Sequence, residues 1–512
     1  MINTFPDARM ETGLSERLPC SLNGKARSRV CTLGLNGRKR LLVAVVLLAV
    51  HSVCVAAPKV PAFPNAEGFG ADTPGGRGGR VVFVTTLDDY HPEHEKPIPG
   101  SLRWACTMPG RRMVIFRVSG TIMLKDKLIV TEPFVTIAGQ SAPGGGICLR
   151  NCSMAIGDAA NPVRDVVLRH LRIRPGPDGP QHYNDVDALS IEHANNVVVD
   201  HCSLSWDIDE TLAIKAAWWN TRGKQYYQAT HDITVQYCII SESLSRSRHA
   251  AHVEPGEVGE HSKSLQVDGG ANRVSLHHNL ILHGNMRNPL LPCEGNKPIL
   301  VDFVNNVVYN FGQFGARAHR KTNHQVDLNF VGNWYIMGPN SCKVPSLILE
   351  VDTRVYAHGN LGPIRTSQAM DQYAGVQWTG PRERPGLQAE ERFDVAPPVT
   401  THSCQKAYAL ILDQAGATRP RRDAVDHRLV DDVAHRKGRI IDHPAEAGGW
   451  PLLESAEAPD DGDRDGMPDA WELRHGFAPG NPHDHRDDAD ADGYTNLEEW
   501  LNQTDPREPE PR

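Results

Sequence analysis

The stretch from Val274 to Pro289 decides the fold and reads Val-Ser-Leu-His-His-Asn-Leu-Ile-Leu-His-Gly-Asn-Met-Arg-Asn-Pro. It begins as a β-rich run, passes through His277 and His278, and ends at Arg287 just before a proline. This pattern predicts a strand that delivers a fixed cation to a loop. Adjacent strand residues point to opposite faces, so at most one of the two histidines can face a groove, and we interpret both as structural.

Runs similar to this strand recur along the chain, with first residues at Val166, Val197, Ile233, Val274, Val301 and Val326. Their starts lie 31, 36, 41, 27 and 25 residues apart, and a period between about 20 and 50 residues is typical of a solenoid. Superimposing the runs stacks their sixth residues, which are Leu171, Cys202, Cys238, Asn279, Asn306 and Val331. The repeat predicts an all-β fold in which parallel strands coil into a parallel β-helix.

The same stretch resembles the pectate lyases of polysaccharide lyase family one, whose motif is a His-His-Asn strand followed by Arg-x-Pro-x-x-Arg. Arg287 and Pro289 match the first arginine and the proline, whereas Pro292 stands where the second arginine is expected. The resemblance implies a right-handed coil, which agrees with the general handedness of parallel crossovers. It also implies a calcium-dependent lyase that cleaves pectate, an acidic plant cell-wall polysaccharide, by β-elimination. In that reaction Arg287 would be the catalytic base and Lys263 would bind substrate.

A base role for Arg287 needs a physical explanation, because a free guanidinium is protonated at any ordinary pH. Burial beside other cations would be needed to favour its neutral form, and activity should then rise on the alkaline side. If the guanidinium remains charged, it can still stabilise the enolate that develops in the reaction.

Acidic residues that could hold calcium precede Arg287 in the chain. Asp185 and Asp187 are two residues apart, which places both carboxylates on one side of a strand, and they resemble the first calcium pair of the family. Asp209 matches the next acidic ligand, but the last one falls on Ala213. Either of two nearby acids could replace it, Glu210 or Glu242. The predicted groove ligands are therefore Asp185, Asp187, Asp209 and Glu210.

Two further calcium motifs lie in the acidic tail, where residues 454–512 carry 18 acidic and 5 basic residues. Both fit the twelve-residue calcium loop, with acids at positions 1, 3, 5 and 12 and a glycine at the sharp turn. The candidate ligands are Asp461, Asp463, Asp465, Asp469 and Glu472 in the first loop and Asp488, Asp490, Asp492, Asn496 and Glu499 in the second. The helical runs after each loop resemble dockerins and thrombospondin type 3 repeats, so a cohesin-like partner and a purely calcium-stabilised module both remain possible, and we favour the latter.

The beginning of the chain has the order of a secretory signal peptide. Arg38 to Arg40 form a basic cluster, Leu41 to Val50 are apolar, and small residues follow to a predicted cleavage site near Ala57. We therefore expect a secreted monomer. Eight cysteines would remain after cleavage, which permits disulfides without defining their pairing. The net charge of −8 and the absence of a basic stripe argue against nucleic-acid binding.

These patterns predict four segments: residues 1–57 as an N-terminal extension with the signal peptide, 58–365 as the catalytic β-helix, 366–453 as an irregular or helical flanking segment, and 454–512 as a small α-rich calcium module. Two alternatives to a lyase remain open. The coil could be a binding or adhesion protein, since a fold does not determine activity. It could also be a glycoside hydrolase, which would need two facing carboxylates and no arginine base.

Overall fold

The computed structural model describes residues 59–180, 186–215, 230–247, 260–291, 299–318, 326–350, 353–379 and 387–510. Some of the predicted features lie outside these residues, namely the signal peptide, Asp185, Pro292 and Cys293.

Within the described residues, twenty-seven strands form three sheets. The first sheet contains β1 (Arg80–Val84), β2 (Arg112–Phe116), β5 (Val135–Ala138), β8 (Val163–Arg169), β11 (Ala194–Asp200), β14 (His231–Gln236), β17 (Asn272–His277), β20 (Ile299–Val304), β23 (Val326–Val331) and β26 (Thr353–His358). The second contains β3 (Gly120–Met123), β6 (Ile147–Arg150), β9 (Arg172–Ile173), β12 (Ser203–Ser205), β15 (Ile239–Ser241), β18 (Leu280–Leu282), β21 (Val307–Tyr309) and β24 (Trp334–Ile336). The third contains β4 (Leu128–Val130), β7 (Met154–Ile156), β10 (Leu189–Glu192), β13 (Glu210–Lys215), β16 (Lys263–Asp268), β19 (Leu290–Leu291), β22 (Ala316–Ala318), β25 (Leu347–Leu349) and β27 (Val376–Trp378).

The sheets are built from coils, because each turn of the chain adds one strand to each sheet. Strand β14 pairs in parallel with β11 on one side and β17 on the other, and the corresponding strands of the other sheets pair in the same way. Buried aliphatic and aromatic side chains from all three sheets fill the space inside the coil. The predicted parallel β-helix is confirmed, and the last strand of the coil, β27, lies beyond the boundary predicted at residue 365.

A ladder of buried asparagines runs along the corner after the first sheet. The backbone N–H of Asn279 donates to the Asn306 side-chain oxygen (3.0 Å), Asn306 donates likewise to Asn333 (2.9 Å), and Asn333 to Asn360 (2.9 Å). The alignment of Val326 with Val301 was wrong by two residues, because Val301 pairs with Leu328. The apolar alternation is the same after a two-residue shift, so it did not reveal the error. The ladder therefore continues through Asn333 and not Val331.

The described part of the chain also contains five α-helices: α1 (Leu102–Thr107), α2 (Cys404–Gln414), α3 (Ala424–His435), α4 (Asp469–His475) and α5 (Asn496–Asn502). Helices α2 and α3 cover the outer face of the second sheet with apolar side chains such as Ile411 and Leu429. Each such side chain contributes about 1.5 to 3 kcal/mol when it is fully buried. The segment after residue 400 therefore covers a flank of the coil.

A buried ion cluster fixes α3 to the coil. The guanidinium of Arg174 donates to Asp426 (2.8 Å) and also pairs with Asp423, the residue that caps the helix N-terminus. Ser203 donates its hydroxyl to the same Asp426 carboxylate (2.5 Å). Burial of a charge is costly unless it is paired, so this cluster stabilises one position of the helix.

Seven cysteines of the described residues are free, and six of them are buried. Cys202 and Cys238 are stacked neighbours, as the repeat predicted, and the backbone N–H of Cys202 approaches the Cys238 sulfur at 3.4 Å. None of the helices in the described part of the chain has the length and apolarity to span a bilayer.

Candidate active site

The candidate active site lies where successive coils enter the third sheet. Asp187 precedes β10, Asp209 immediately precedes β13, and Glu210 is the first residue of β13. Lys263 is the first residue of the next strand, β16, and pairs in register with Glu210. Because parallel strands are stacked in register, residues at the beginning of each strand meet at one edge of the sheet.

The three described acids of the groove converge. Ligand oxygens of Asp187, Asp209 and Glu210 all lie within 4.8 Å of one another. Asp187 also accepts the backbone N–H of Glu210 at 3.2 Å, which links two coils. Burial, together with the nearby Asp209 carboxylate, raises the pKa of Asp187 to about 6 against the opposing effect of Lys215.

Each of these carboxylates has a cationic partner. Lys215 Nζ lies 3.0 Å from Asp187 Oδ2, and Lys263 Nζ lies 3.0 Å from Asp209 Oδ1. The Arg287 guanidinium contacts the Glu210 carboxylate. Three acids and three bases therefore form an alternating cluster with no net formal charge. The sequence had predicted four of these residues as ligands or substrate contacts besides Arg287, but not Lys215.

Arg287 occupies a backbone conformation that few residues adopt. Its φ is +57°, in the left-handed region, which costs a non-glycine residue about 1 kcal/mol or more. Its side chain is 27% exposed and also contacts the side-chain oxygen of Gln266. Other non-glycine residues of the described chain, among them His278 and His283, have the same left-handed φ, so the conformation does not by itself distinguish Arg287.

The position of Ala213 explains the role of Gln266, which the sequence did not indicate. Ala213 and Gln266 are register partners in β13 and β16, so their side chains point to the same face. The acid expected from the family at position 213 is thus replaced locally by a neutral amide that contacts Arg287.

Glu242 cannot replace the missing acid. Its carboxylate pairs with Arg428 of α3 at 2.7 Å and accepts the indole N–H of Trp206 at 2.9 Å. It therefore connects the second sheet to a flanking helix, and of the two acids proposed as substitutes only Glu210 lies in the groove.

The backbone of Lys263 is held by a buried hydrogen-bonded pair, Ser243 and Asp207. Ser243 donates its hydroxyl to Asp207 (2.6 Å), and the same hydroxyl accepts the backbone N–H of Lys263 (2.9 Å). Burial raises the pKa of Asp207 to about 8. These contacts fix the backbone from which Lys263 reaches Asp209.

His277 and His278 lie in a different part of the coil, at the corner beside the asparagine ladder. Their Nδ1 atoms are 3.0 Å apart, and His278 also contacts His402 and stacks on Tyr237. A cleft of about 760 Å³ opens there, with His278 and Tyr237 in its wall. The histidines thus contact one another, and His278 contacts the segment just before α2.

The C-terminal loops also bring their acids together. In each loop the first three aspartates have ligand oxygens within 4.8 Å of one another: Asp461, Asp463 and Asp465 in the first loop, and Asp488, Asp490 and Asp492 in the second. Burial raises the pKa of Glu472 to about 8 and that of Glu499 to about 7. Both loops therefore have the carboxylate cluster that the motif predicted.

The residues at the ninth positions of the two loops, Asp469 and Asn496, form hydrogen bonds with the protein backbone. Asp469 accepts the backbone N–H of Gly462 at 2.7 Å, so at least one of its oxygens closes the loop. Asn496 donates its amide to the backbone oxygen of Asp484 at 2.8 Å, and its own side-chain oxygen is buried without a hydrogen-bond partner among the described residues.

Comparison with known proteins identifies the family. A probable pectate lyase C of Aspergillus flavus is 32% identical over 452 residues, which span 86% of this chain and 93% of that protein. This chain belongs to the pectate lyase family. A probable pectate lyase C of Neosartorya fischeri is also 32% identical, over 464 residues that span 90% of this chain and 98% of that protein. These relatives confirm that this pectate lyase family member is a polysaccharide lyase.

Family models and solved structures show less similarity to this chain than the pectate lyase relatives do. No model of a known protein family matches the chain. Among solved structures, the thermostable pectate lyase PL 47 has a TM-score of 0.44 at 14% identity and covers 69% of this chain and 97% of its own. The cedar pollen allergen jun a 1 has a TM-score of 0.41 at 17% identity and covers 69% of this chain and 92% of its own.

Proposed function

We propose that the chain is a calcium-dependent pectate lyase that cleaves polygalacturonate by β-elimination to unsaturated oligogalacturonides. The observation that carries this proposal is the convergence of Arg287 with Asp187, Asp209 and Glu210 at the edge of the third sheet. Cleavage without water requires removal of the proton on carbon five of a uronate and expulsion of the sugar oxygen on carbon four. The site must therefore stabilise negative charge that builds on the uronate carboxylate.

The cations of the groove suit an acidic sugar chain. Lys263 and Arg287 both lie at the entry to the third sheet, with side chains 12% and 27% exposed. A uronate carboxylate that enters the groove can exchange partners with Asp209 or Glu210 and pair with these bases. We assign Lys263 to substrate binding and Arg287 to the reacting sugar.

The donor set fits calcium, because all three described groove ligands are carboxylates and hard cations prefer oxygen. Asp187, Asp209 and Glu210 would hold the ion, together with Asp185, which lies outside the described residues. When bound, calcium supplies a positive charge that acidifies the carbon-five proton by binding the uronate carboxylate.

The role of Arg287 depends on its partner Glu210. While this carboxylate contacts the guanidinium, the ion pair favours the charged side chain. In this state Arg287 stabilises the developing enolate. A base role requires that Glu210 be engaged elsewhere, and its position in the proposed calcium set provides a way to release the guanidinium.

The test is an assay on polygalacturonate with calcium and then with a chelator, in which the absorbance of the unsaturated product is followed. We expect absorbance with calcium and none with the chelator. Reducing sugar without this absorbance would indicate a hydrolase, and binding without either product would indicate an adhesion protein. Either result would overturn the proposal.

We also infer that residues 454–512 form a calcium-binding module and that the enzyme is exported as a monomer. The two carboxylate clusters support the module, and the basic and apolar order of residues 38–57 supports export with cleavage near Ala57. The segments 58–365 and 366–453 remain our proposal for the catalytic coil and its flanking region. A cohesin-like partner is the alternative use of the module.

A further inference from the structure

The first calcium loop has an additional acidic neighbour that its twelve-residue motif does not include. Asp484 lies in a short 3-10 helix (Asp484–Arg486) between the two loops. Its ligand oxygen lies within 4.8 Å of those of Asp465 and Glu472, and Asp465 in turn belongs to the cluster with Asp461 and Asp463. Carboxylates from the first loop, from α4 and from the segment after α4 therefore converge on one point.

The acids around this point are buried and lack partners. Glu472 is 0% exposed, Asp465 2% and Asp484 6%. Both carboxylate oxygens of Glu472, Oδ2 of Asp465 and Oδ1 of Asp484 have no hydrogen-bond partner among the described residues. Asp463 Oδ2 is in the same state. Buried carboxylates without partners are strongly destabilising, so their convergence indicates a missing positive charge.

The protein groups next to the cluster supply little of that charge. His485 Nδ1 lies 3.8 Å from Asp465 Oδ2, which is beyond hydrogen-bond distance. Arg117 of the coil lies 3.4 Å from Asp461 Oδ2 and pairs with that carboxylate. Oxygen donors from at least four carboxylates are the ligand chemistry of a hard divalent cation, and calcium tolerates their irregular number and spacing better than magnesium does.

Asp484 also connects this point to the second loop. Its backbone oxygen accepts the side-chain amide of Asn496, the first residue of α5, at 2.8 Å. The backbone N–H of Asn496 donates to the oxygen of Asp487 at 2.8 Å. An ion that holds the Asp484 carboxylate therefore also fixes the start of α5.

Helix α5 is packed against the coil. Leu497 and Leu501 join Met467 in an apolar cluster with Met113 and Ile115 of the first sheet. Glu498 pairs with Arg77 of the coil at 2.9 Å, with side chains 6% and 15% exposed. Asn502 accepts a hydrogen bond from Arg169 at 2.7 Å. The face of α5 that a partner protein could bind is thus occupied by the chain's own coil.

We propose that Asp484 completes the first-loop calcium site and that calcium bound there clamps the C-terminal module onto the β-helix. This inference rests on the proposed calcium loops and not on the lyase reaction. The occupant of the module's apolar face is the first sheet of the same chain. The module is therefore a calcium-dependent clamp of the enzyme and not an adaptor for a second protein.

The test compares Asp484→Asn with Asp487→Asn in the full chain. The control residue, Asp487, lies three positions away and carries the same charge, but its side chain is exposed whereas that of Asp484 is buried. Both variants therefore lose one acid from the same segment. Calcium titration by calorimetry should show one site at least about tenfold weaker in Asp484→Asn and none altered in Asp487→Asn. Equal titrations for the two variants would overturn the assignment of Asp484.

The clamp is tested by amide hydrogen exchange with and without calcium. In the wild-type chain, calcium should slow exchange at residues 113–115 and 497–501, and this protection should be reduced in Asp484→Asn. Protection of residues 497–501 without any change at residues 113–115 would overturn the clamp. The same exchange measurements on Arg287→Ala should match the wild type. The test of the clamp therefore does not depend on lyase activity, and a failure of one proposal can be told apart from a failure of the other.

Discussion

Two acid clusters of this protein differ in how their charge is balanced. In the groove, Asp187, Asp209 and Glu210 each have a lysine or arginine partner within the same cluster. Around the first C-terminal loop, Glu472 and Asp484 have buried oxygens that lack hydrogen-bond partners among the described residues. The two clusters contain the same kind of side chain, but in the groove each described carboxylate has a basic partner, whereas at the loop Arg117 pairs with Asp461 and leaves Glu472 and Asp484 uncompensated.

Because of this difference, we expect the groove to bind its ion reversibly and the C-terminal loop to depend on its ion for folding. A compensated cluster is stable without a metal, so an ion or an acidic sugar can enter and leave by exchange of partners. An uncompensated cluster repels itself until a cation binds, so the binding energy of the ion becomes folding energy of the module. We expect calcium to act as a cofactor in the groove and as a structural ion at the C-terminus.

Arg287→Ala should produce the largest effect, because it removes the guanidinium that we assign to the reacting sugar. The rate of unsaturated product formation should fall by about 10³-fold, while polygalacturonate binding persists. Arg287→Lys should also be impaired, since the two cations differ in shape and hydration. Arg246→Ala is a suitable control, because Arg246 is exposed and pairs with Glu260 on the surface. A variant that retains the wild-type rate would remove Arg287 from the mechanism.

Asp209→Asn breaks the compensated cluster and should destabilise the calcium-free protein. The substitution leaves the Lys263 ammonium, whose side chain is 12% exposed, without its 3.0 Å partner. The free energy of unfolding in chelator should fall by about 2 kcal/mol, between the values for exposed and buried pairs. Denaturant unfolding measures this change. An unchanged midpoint would show that the groove does not depend on its internal pairs.

Glu472→Gln should raise the free energy of unfolding in chelator, whereas Asp209→Asn should lower it. The substitution replaces a fully buried carboxyl group, whose raised pKa means that ionising it there is unfavourable, with a neutral amide, so the chelated protein should gain about 1 kcal/mol of stability. The variant should also lose most of the stabilisation that calcium gives the wild type. Thermal unfolding with chelator and with calcium gives both values, and a loss of stability in chelator would contradict the proposed repulsion.

Monovalent salt should give the smallest effect and separate the two clusters further. Raising the ionic strength from about 0.05 to 0.5 M shortens the screening length and weakens repulsion between like charges. In chelator, the wild-type midpoint should rise by a few degrees at most, and Glu472→Gln should rise less. The partly exposed pairs of the groove should gain nothing. Equal responses of both proteins would argue against repulsion at the loop.

The sequence predicted much of the fold and of the site because both depend on local patterns. The recurring Val-rich runs indicated the coil, and the acids at Asp187 and Asp209 and the cation at Arg287 were recognisable from their order in the chain. The register of β23 was missed, because a shift of two residues keeps every apolar side chain on the same face and only the buried Asn333 reveals it.

Other residues were missed because their role depends on a neighbour that is distant in sequence. Lys215 meets Asp187 across 28 residues, and Gln266 meets Arg287 across 21. Glu242 was an equally good candidate in the sequence, but the packing of α3 places Arg428 beside it. No spacing rule connects such positions, since the loops between coils vary in length.

The sequence by itself determined that this chain coils, that it carries an arginine after a His-His-Asn strand, and that its tail has two acidic stretches with the spacing of the calcium-loop motif. These features are set by periodicity and motif spacing, which are local properties of the chain. Only the tertiary structure decided which acids are paired and which are not, and that the module packs on the coil. Charge balance and packing are sums over neighbours in space, and stacking of the coils chooses those neighbours.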